Sequence, residues 1–584
     1  MLSNSLIAGA LASAYLTILV LHLNPSFPLT GEAVTPLALV LALAYGVNFA
    51  AAFYLLVVIH QLLASEALSP GWLSVRLLSW MSTIAATGAA VVMWLNLHGF
   101  APVMEPQAIT RMTASAISLS ASAVVFLLIA FAHVERRGGR VSAVLLTAMM
   151  AISVAAPVAA RGRGVPRPLD SRPLPPPSAL DYTAVEGPAE GRIILLAFDG
   201  ATLDIISPAV AEGRLPNLGR IFDGGAVLHL ATLRPTQAEP VWSAAVTGRL
   251  PVANGIRAAA AYQVLIGGPR LELLPDYCFA QALVRFGFLH EDPHTAASLQ
   301  ARPVWSILSD NAVSVGVVGF PITHPAPAVH GYLVSDEFHR QSDGVRALEG
   351  ESAVSPTAIL AVVRDALEEP PSPDPEALVA DAAPRPQSGD ARPDPAPVVG
   401  DRMHLQIMNA LAERMPAQFL AVRFPGVDAI GHYYLRFANP SAFGDVSASQ
   451  VREQGRVLTE YYSFVDTVVG RTLEALRPGD LLLVVSAFGM EPLSPGKRLL
   501  EQLVGDARVS GTHERAPDGF VLAFGSEVAA GRPPRASLVD LTPTVLYYLG
   551  LPVGRDMDGY ARTDLFRSTF TASRPVTFIP TYGR

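Results

Sequence analysis

A chain of 584 residues has room for more than one domain, yet only 16% of it is charged against 51% hydrophobic, where ordinary soluble domains carry roughly 25% charged residues. The net charge of −8 comes without a basic stripe, which excludes nucleic acid as an expected partner. The single cysteine, Cys278, excludes an internal disulfide and any thiolate metal cluster.

The charge deficit is local: ionisable residues are scarce in residues 1–160 and common beyond them. Five apolar runs fill this stretch, at residues 5–23, 37–63, 77–97, 114–133 and 142–160. Each is near the ~20 residues that a helix needs to cross the hydrocarbon layer. The first run alone reads equally as a signal peptide, but five in succession predict a transmembrane bundle over residues 1–160. Arg136, Arg137 and Arg140 between the last two runs, and Arg76 between the second and third, predict cytoplasmic loops there. Parity then places the N-terminus inside and everything after the fifth run outside the cytoplasm, in a cell (inner or plasma) membrane. Arg161, Arg163 and Arg167, just past the fifth run, oppose that placement. Asn48, His60, Asn96 and His98 are polar residues in or closing spans; interhelical hydrogen bonds or interfacial positions are the expectation, a headgroup site the alternative.

Residues 161–190 are Pro-rich and predict an extended linker. The α/β domain is placed at residues 191–570, with a Pro/Asp-rich disordered insertion at about 369–399 and a C-terminal tail at 571–584. Within it, IILLAF (193–198), FLAVRF (419–424) and LLLVVSAF (481–488) read as buried parallel strands alternating with helical patterns. The fold class is therefore an α-helical transmembrane bundle followed by an α/β domain with a mostly parallel central sheet. Ligands of such sheets sit beyond the carboxyl ends of the strands, where Asp199, Asp428 and residues 486–489 fall.

Six segments in order resemble the type I phosphodiesterase/nucleotide pyrophosphatase family of the alkaline phosphatase superfamily. They are LLAFDGATLDIISPAVAEGRLPNLGRIFDGGA, PTQAEPVWSAAVTGRLPVANGI (235–256), VVGFPITHPAPAVHGYLVSDEF (317–338), FPGVDAIGHYY (424–434), GTHERAPDGFVLAFG (511–525) and LVDLTPTVLYYLGLPVGRDMDGY (538–560). The resemblance implies an alkaline-phosphatase-like fold and chemistry with two divalent ions, usually zinc, one activating a Ser or Thr nucleophile. It implies Asp428, His432 and His513 as ligands of one ion, and Asp199 as a ligand of the other. The chain departs from the family at three places in that second half. The nucleophile position is Ala238, and an expected Asp-His pair reads Ala487 and Phe488. Loss of an essential nucleophile costs an unrelated hydrolase roughly a millionfold in turnover. Thr236 is a weak substitute nucleophile, expected rather to satisfy backbone groups, and Ser243 is a second nearby hydroxyl. Asp199 is left to pair with Arg234 or another base, or to cap the next helix.

The expectation is a membrane-anchored, degenerate phosphodiesterase-like protein acting as a binding, assembly or regulatory subunit. One zinc or other divalent ion is the expected cofactor, and a two-metal centre is not expected. The lipid bilayer and other membrane or envelope proteins are the expected partners. The alternative is an active one-metal hydrolase or phosphotransferase on a lipid-linked phosphodiester. His290, Glu291, Asp292 and His294 read as a solvated loop cluster, Trp242 and Trp305 as core, and Tyr461, Tyr462 and Asp466 as structural.

Overall fold

The computed structural model describes residues 2–64, 73–135, 139–163, 191–276, 280–338, 351–368, 375, 396–504 and 506–583. The chain forms two units: residues 1–171 with 257–293, and residues 172–256 with 294–584.

The first unit is built on α1 (Leu2–Leu23), α2 (Gly31–Leu41), α3 (Val47–Ala64), α4 (Val75–Phe100), α5 (Pro106–Glu135) and α6 (Gly139–Arg161). A π-helical turn, Ala42–Gly46, joins α2 to α3. Among the described residues five helices, counting α2 and α3 as one, are long and apolar enough to cross a membrane, as the five apolar runs predict. They are apolar on every side, and Leu39, Leu43, Leu55, Leu56 and Ile59 stand exposed, as suits a lipid-facing helix. Gly9 meets the Gly46 backbone so closely that a Cβ there would clash, the small-residue contact that lets membrane helices approach.

Residues 257–293 were expected in the α/β domain, but they pack on these helices. Strands Ala260–Val264 and Leu289–Pro293 pair antiparallel, and Tyr262, Val264, Leu271, Leu273 and Leu289 join the helix core. Polar anchors fix them. Asn24 donates to Leu273 O (2.8 Å) and accepts from Glu272 N and Leu273 N (2.6 and 2.9 Å). Asn96 donates to Asp276 O and accepts its N–H at 2.7 Å, so its partner is this hairpin and not another helix. Asn48 bonds within its own helix, to Ala44 O. Arg257, 3% exposed, pairs with Glu105 at 2.9 Å and Glu272 at 3.6 Å. His290, Glu291 and Asp292 lie on a strand rather than a loop, and Asp292 pairs with Arg270.

Arg161 is the last residue of α6 and not the start of a linker. It is buried and donates to Leu21 O, Asn24 O and Phe27 O at the end of α1, where helix carbonyls lack partners. The rest of the expected linker, residues 164–190, lies outside the described residues, as does most of the expected insertion.

The second unit is an α/β layered fold. Its strands include β1 (Ile193–Phe198), β2 (Ala226–Ala231), β3 (Val315–Val318), β4 (Gly331–Val334), β5 (Val354–Ser355), β6 (Phe419–Phe424), β7 (Leu481–Phe488), β8 (Glu491–Pro492), β9 (Gly511–Thr512), β10 (Asp518–Gly525) and β11 (Ala536–Ser537). Among the described residues nine of these form one sheet, in the order β11-β2-β10-β7-β1-β6-β3-β4-β5. The central strands β7, β1, β6, β3 and β4 are parallel, and β10 and β5 run antiparallel. Side chains alternate between two cores: Ile193, Leu195 and Ala197 face one, and Ile194, Leu196 and Phe198 the other. Burial on both faces explains why these strands read as unbroken apolar runs. The helices that matter for the site are α7 (Leu203–Ala211), α8 (Pro216–Gly224), α9 (Ala238–Thr247), α10 (Ala396–Arg414), α11 (Gly426–Ala438) and α12 (Ala448–Glu474). α10 begins at Ala396, within the stretch expected to be disordered.

Candidate metal centre

The site lies at the carboxyl ends of β1, β6 and β7. β1 delivers Asp199, whose N–H donates to Phe424 O and so extends the β1–β6 ladder by one residue. Gly200 follows with φ +71°, and a Cβ there would lie 2.7 Å from the Asp428 Cα. Only glycine suits both that backbone angle and that contact. β6 ends at Phe424, and the turn of Pro425 starts α11, with Asp428 in its first turn and His432 one turn on. The start of α11 is pinned from below. Buried Asp401 on α10 accepts the Gly426 N–H (3.0 and 3.1 Å) and the Tyr461 hydroxyl (2.6 Å).

Asp428, His432 and His513 converge, with one ligand atom from each within 4.8 Å of the others. Nε2 of His432 is 3.5 Å, and Nε2 of His513 is 3.9 Å, from Asp428 Oδ2. A tetrahedral zinc with ligand bonds near 2.0–2.1 Å holds its donors roughly 3.3–3.5 Å apart. Both rings are oriented through their other nitrogen. His432 Nδ1 donates to Gly511 O (2.8 Å) and His513 Nδ1 to Thr236 O (2.9 Å). With the protons on Nδ1, the Nε2 lone pairs face Asp428, the arrangement that metal-binding imidazoles adopt. Asp428 Oδ1 is buried and has no hydrogen-bond partner. The residues present therefore fit one divalent cation. Burial pushes the Asp428 carboxyl up, but His513 and His432 outweigh it and hold it below the usual range. Burial pushes His432 down, and Asp428 carries it above its ordinary value.

Asp199, expected as a ligand of a second ion, is differently engaged. Its Oδ1 accepts from Trp242 Nε1 (2.7 Å), and its Oδ2 accepts from Arg423 Nε (3.0 Å) and NH2 (2.5 Å). Its base is Arg423; Arg234 instead donates to Ala516 O (3.1 Å). Burial raises the Asp199 carboxyl, with Arg423 pulling against it, and Asp199 in turn holds the guanidinium above its ordinary value. Ala238 is the first residue of α9 and offers only a methyl. Phe488 packs its ring 5.0 Å from that of His513. In the β1–β7 register Ala197 pairs with Val485, so Ala487 follows that pair by two residues on β7 as Asp199 does past the end of β1. Thr236 is buried and donates to Leu233 O (2.7 Å), a local turn bond; Ser243 is buried within α9. Glu239, on the first turn of α9, is raised by burial.

Arg423, Trp242 and Asp401 were not foreseen as site residues. The signal for Arg423 was in plain view, as a charge inside an apolar strand, which is rarely buried unless paired. Trp242 and Trp305 do lie in the core, both against Phe320. Tyr461, Tyr462 and Asp466 brace the neighbourhood: Tyr462 accepts the Thr202 N–H, and Asp466 accepts the N–H groups of Asn217 and Leu218 that open α8.

The family model of type I phosphodiesterase / nucleotide pyrophosphatase matches residues 193–538. No curated protein matches the chain. Among solved structures, murine ectonucleotide pyrophosphatase / phosphodiesterase 5 is 12% identical, with a TM-score of 0.36 over 64% of this chain and 100% of that one. An inactive form of the same murine protein in complex with AMP is also 12% identical, with a TM-score of 0.37 over 65% and 100%. Apolar helices followed by a large, mostly parallel sheet agree with the expected alkaline-phosphatase-like fold. The chain belongs to the type I phosphodiesterase / nucleotide pyrophosphatase family, whose members are metal-dependent.

Proposed function

We propose that this protein is a membrane-anchored, extracytoplasmic phosphodiesterase-like subunit that binds a phosphorylated ligand through one divalent cation without hydrolysing it. The observation that carries this reading is a three-donor cluster whose His513 is held by Thr236 O, two residues before the methyl of Ala238 at the start of α9. A bound cation would polarise a phosphoryl oxygen. Asp428, His432 and His513 would hold it; no hydroxyl at residue 238 can then attack phosphorus. Thr236 spends its hydroxyl proton on Leu233 O.

The anchoring is supported by the polarity of the helix ends. Asn24, Asn96, Glu105 and Arg161 lie at the ends of α1, α4, α5 and α6 that the hairpin 257–293 or its neighbours engage. Arg76 lies at the opposite end of α4, and Arg136, Arg137 and Arg140 are in sequence at the far end of α5 and the start of α6. Arg161 is engaged as a buried helix cap, while Arg163 and Arg167 still count against the outward assignment. A second reading, a one-metal hydrolase, is favoured by the same free Nε2 lone pairs.

The test uses the full chain in detergent. Elemental analysis is expected to find about one zinc per chain, lost in His432→Ala/His513→Ala. Hydrolysis of bis(p-nitrophenyl) phosphate is expected at background, equal in both proteins. Zinc-dependent turnover that the double substitution abolishes would establish the hydrolase instead.

A further inference from the structure

The two halves of the centre differ in what balances their carboxylates. We propose that the guanidinium of Arg423 is the resident second cation of this centre, standing where a second metal ion would otherwise neutralise Asp199. This goes beyond the proposed function and holds whether or not a ligand is turned over.

A second divalent ion needs donors with free lone pairs and uncompensated negative charge. Asp199 has three of its roughly four acceptor positions filled, and its charge is paired with a guanidinium. One oxygen takes the Trp242 N–H and the other takes two N–H groups of Arg423. The neighbouring strand β7 ends in the methyl of Ala487 and the ring of Phe488, which lies against His513. The charge of Asp199 is answered directly, by the guanidinium of Arg423 at 2.5 Å. The side chain is held firmly for this task. It is 11% exposed, donates a further bond to Gly319 O (3.3 Å), and its own carbonyl accepts from His404 Nδ1 (2.7 Å). A guanidinium does not deprotonate or dissociate in a protein, and its planar fork matches a carboxylate. The geometry thus converts an exchangeable cation into a covalently attached one. Its charge is already spent on carboxylates, so a phosphoryl ligand is drawn to the Asp428–His432–His513 half alone.

Three zinc counts on the full-length protein test this. Asp199→Asn, which keeps the side-chain shape, is expected to retain about one zinc per chain, since Asp199 is not a ligand; loss of that zinc overturns the proposal. Ala487→Asp/Phe488→His with Arg423 in place is expected to stay at about one, and adding Arg423→Met to bring it to about two. Two zincs with Arg423 still present, or one in the folded triple variant, would overturn it. Should the triple variant not fold, thermal unfolding of the metal-free protein decides. Arg423→Met is expected to lower the midpoint much less in the Asp199→Asn background than in the wild type, and equal shifts in both backgrounds contradict the pairing. An absence of zinc in the wild type would defeat the proposed function while leaving this last comparison intact.

Discussion

At the scale of single residues, the centre is governed by which polar atoms have partners. Trp242→Phe keeps the aromatic packing against Phe320 but removes the donor to Asp199 Oδ1. A buried acceptor left without its partner costs about 1–3 kcal/mol, and chemical unfolding should show a loss of that size. Arg423→Met should cost more, about 3–5 kcal/mol, because it strands a buried carboxylate. The grouping of Asp428, His432 and His513 was legible through the family resemblance: Asp428 and His432 are one helical turn apart, but only the resemblance tied the distant His513 to them. The partner of Asp199 was not. The strand register that sets Arg423 across from Ala197 depends on how the sheet assembles, and no spacing in the chain encodes it.

Among the elements, the short caps and strand starts hold the frame that aims the site. Asp480 precedes β7 and accepts from the backbone N–H groups of Arg192 and Arg477 and from the Arg192 guanidinium at 2.6 Å. One carboxylate thereby fixes the starts of both β1 and β7. Burial pushes it up, but these hydrogen bonds outweigh burial and hold it below the usual carboxylate range. The sign follows from linkage. A carboxylate depressed in the folded state contributes stability above its unfolded value, near pH 4, and loses it as pH falls through the folded value. Unfolding followed from pH 5 to pH 2.5 should therefore show a steeper loss in the wild type than in Asp480→Asn. Asp466→Ala removes the carboxylate from the start of α8 and should cost about 0.5–2 kcal/mol, as other helix caps do. The strands β1, β6 and β7 were readable as unbroken apolar runs because both sheet faces are buried. The two-residue strands β8 and β9 are too short to carry such runs. Yet β9 leads directly into His513.

On the scale of the whole molecule, the five apolar helices were legible from composition, whereas the allegiance of residues 257–293 was not. Nothing in that stretch is long or apolar enough to announce a membrane partner. Its apolar residues alternate as in any half-buried hairpin, and its polar anchors, Asn24 and Asn96, lie far away in the sequence. Arg257→Ala leaves Glu105 and Glu272 without their shared cation. Limited proteolysis should then cut within 257–293 faster than in the wild type. On the proposed topology, in a Cys278→Ser background, a membrane-impermeant maleimide should label a cysteine placed at Ser26 and spare one placed at Gly138. The reverse pattern would turn the molecule over.

The hairpin gives the molecule a property that its helix count does not suggest. The chain leaves the helices after residue 163, yet it returns to them at residues 257–293 before finishing the α/β unit. A single proteolytic cut between 164 and 190 would break the covalent tether and still leave residues 191–584 fastened to the helices through Asn24, Asn96 and Glu105. Shedding by one cleavage, the usual way to release a domain from its anchor, should fail here. Conversely, a fragment starting at residue 191 would carry an apolar hairpin with nothing to cover it.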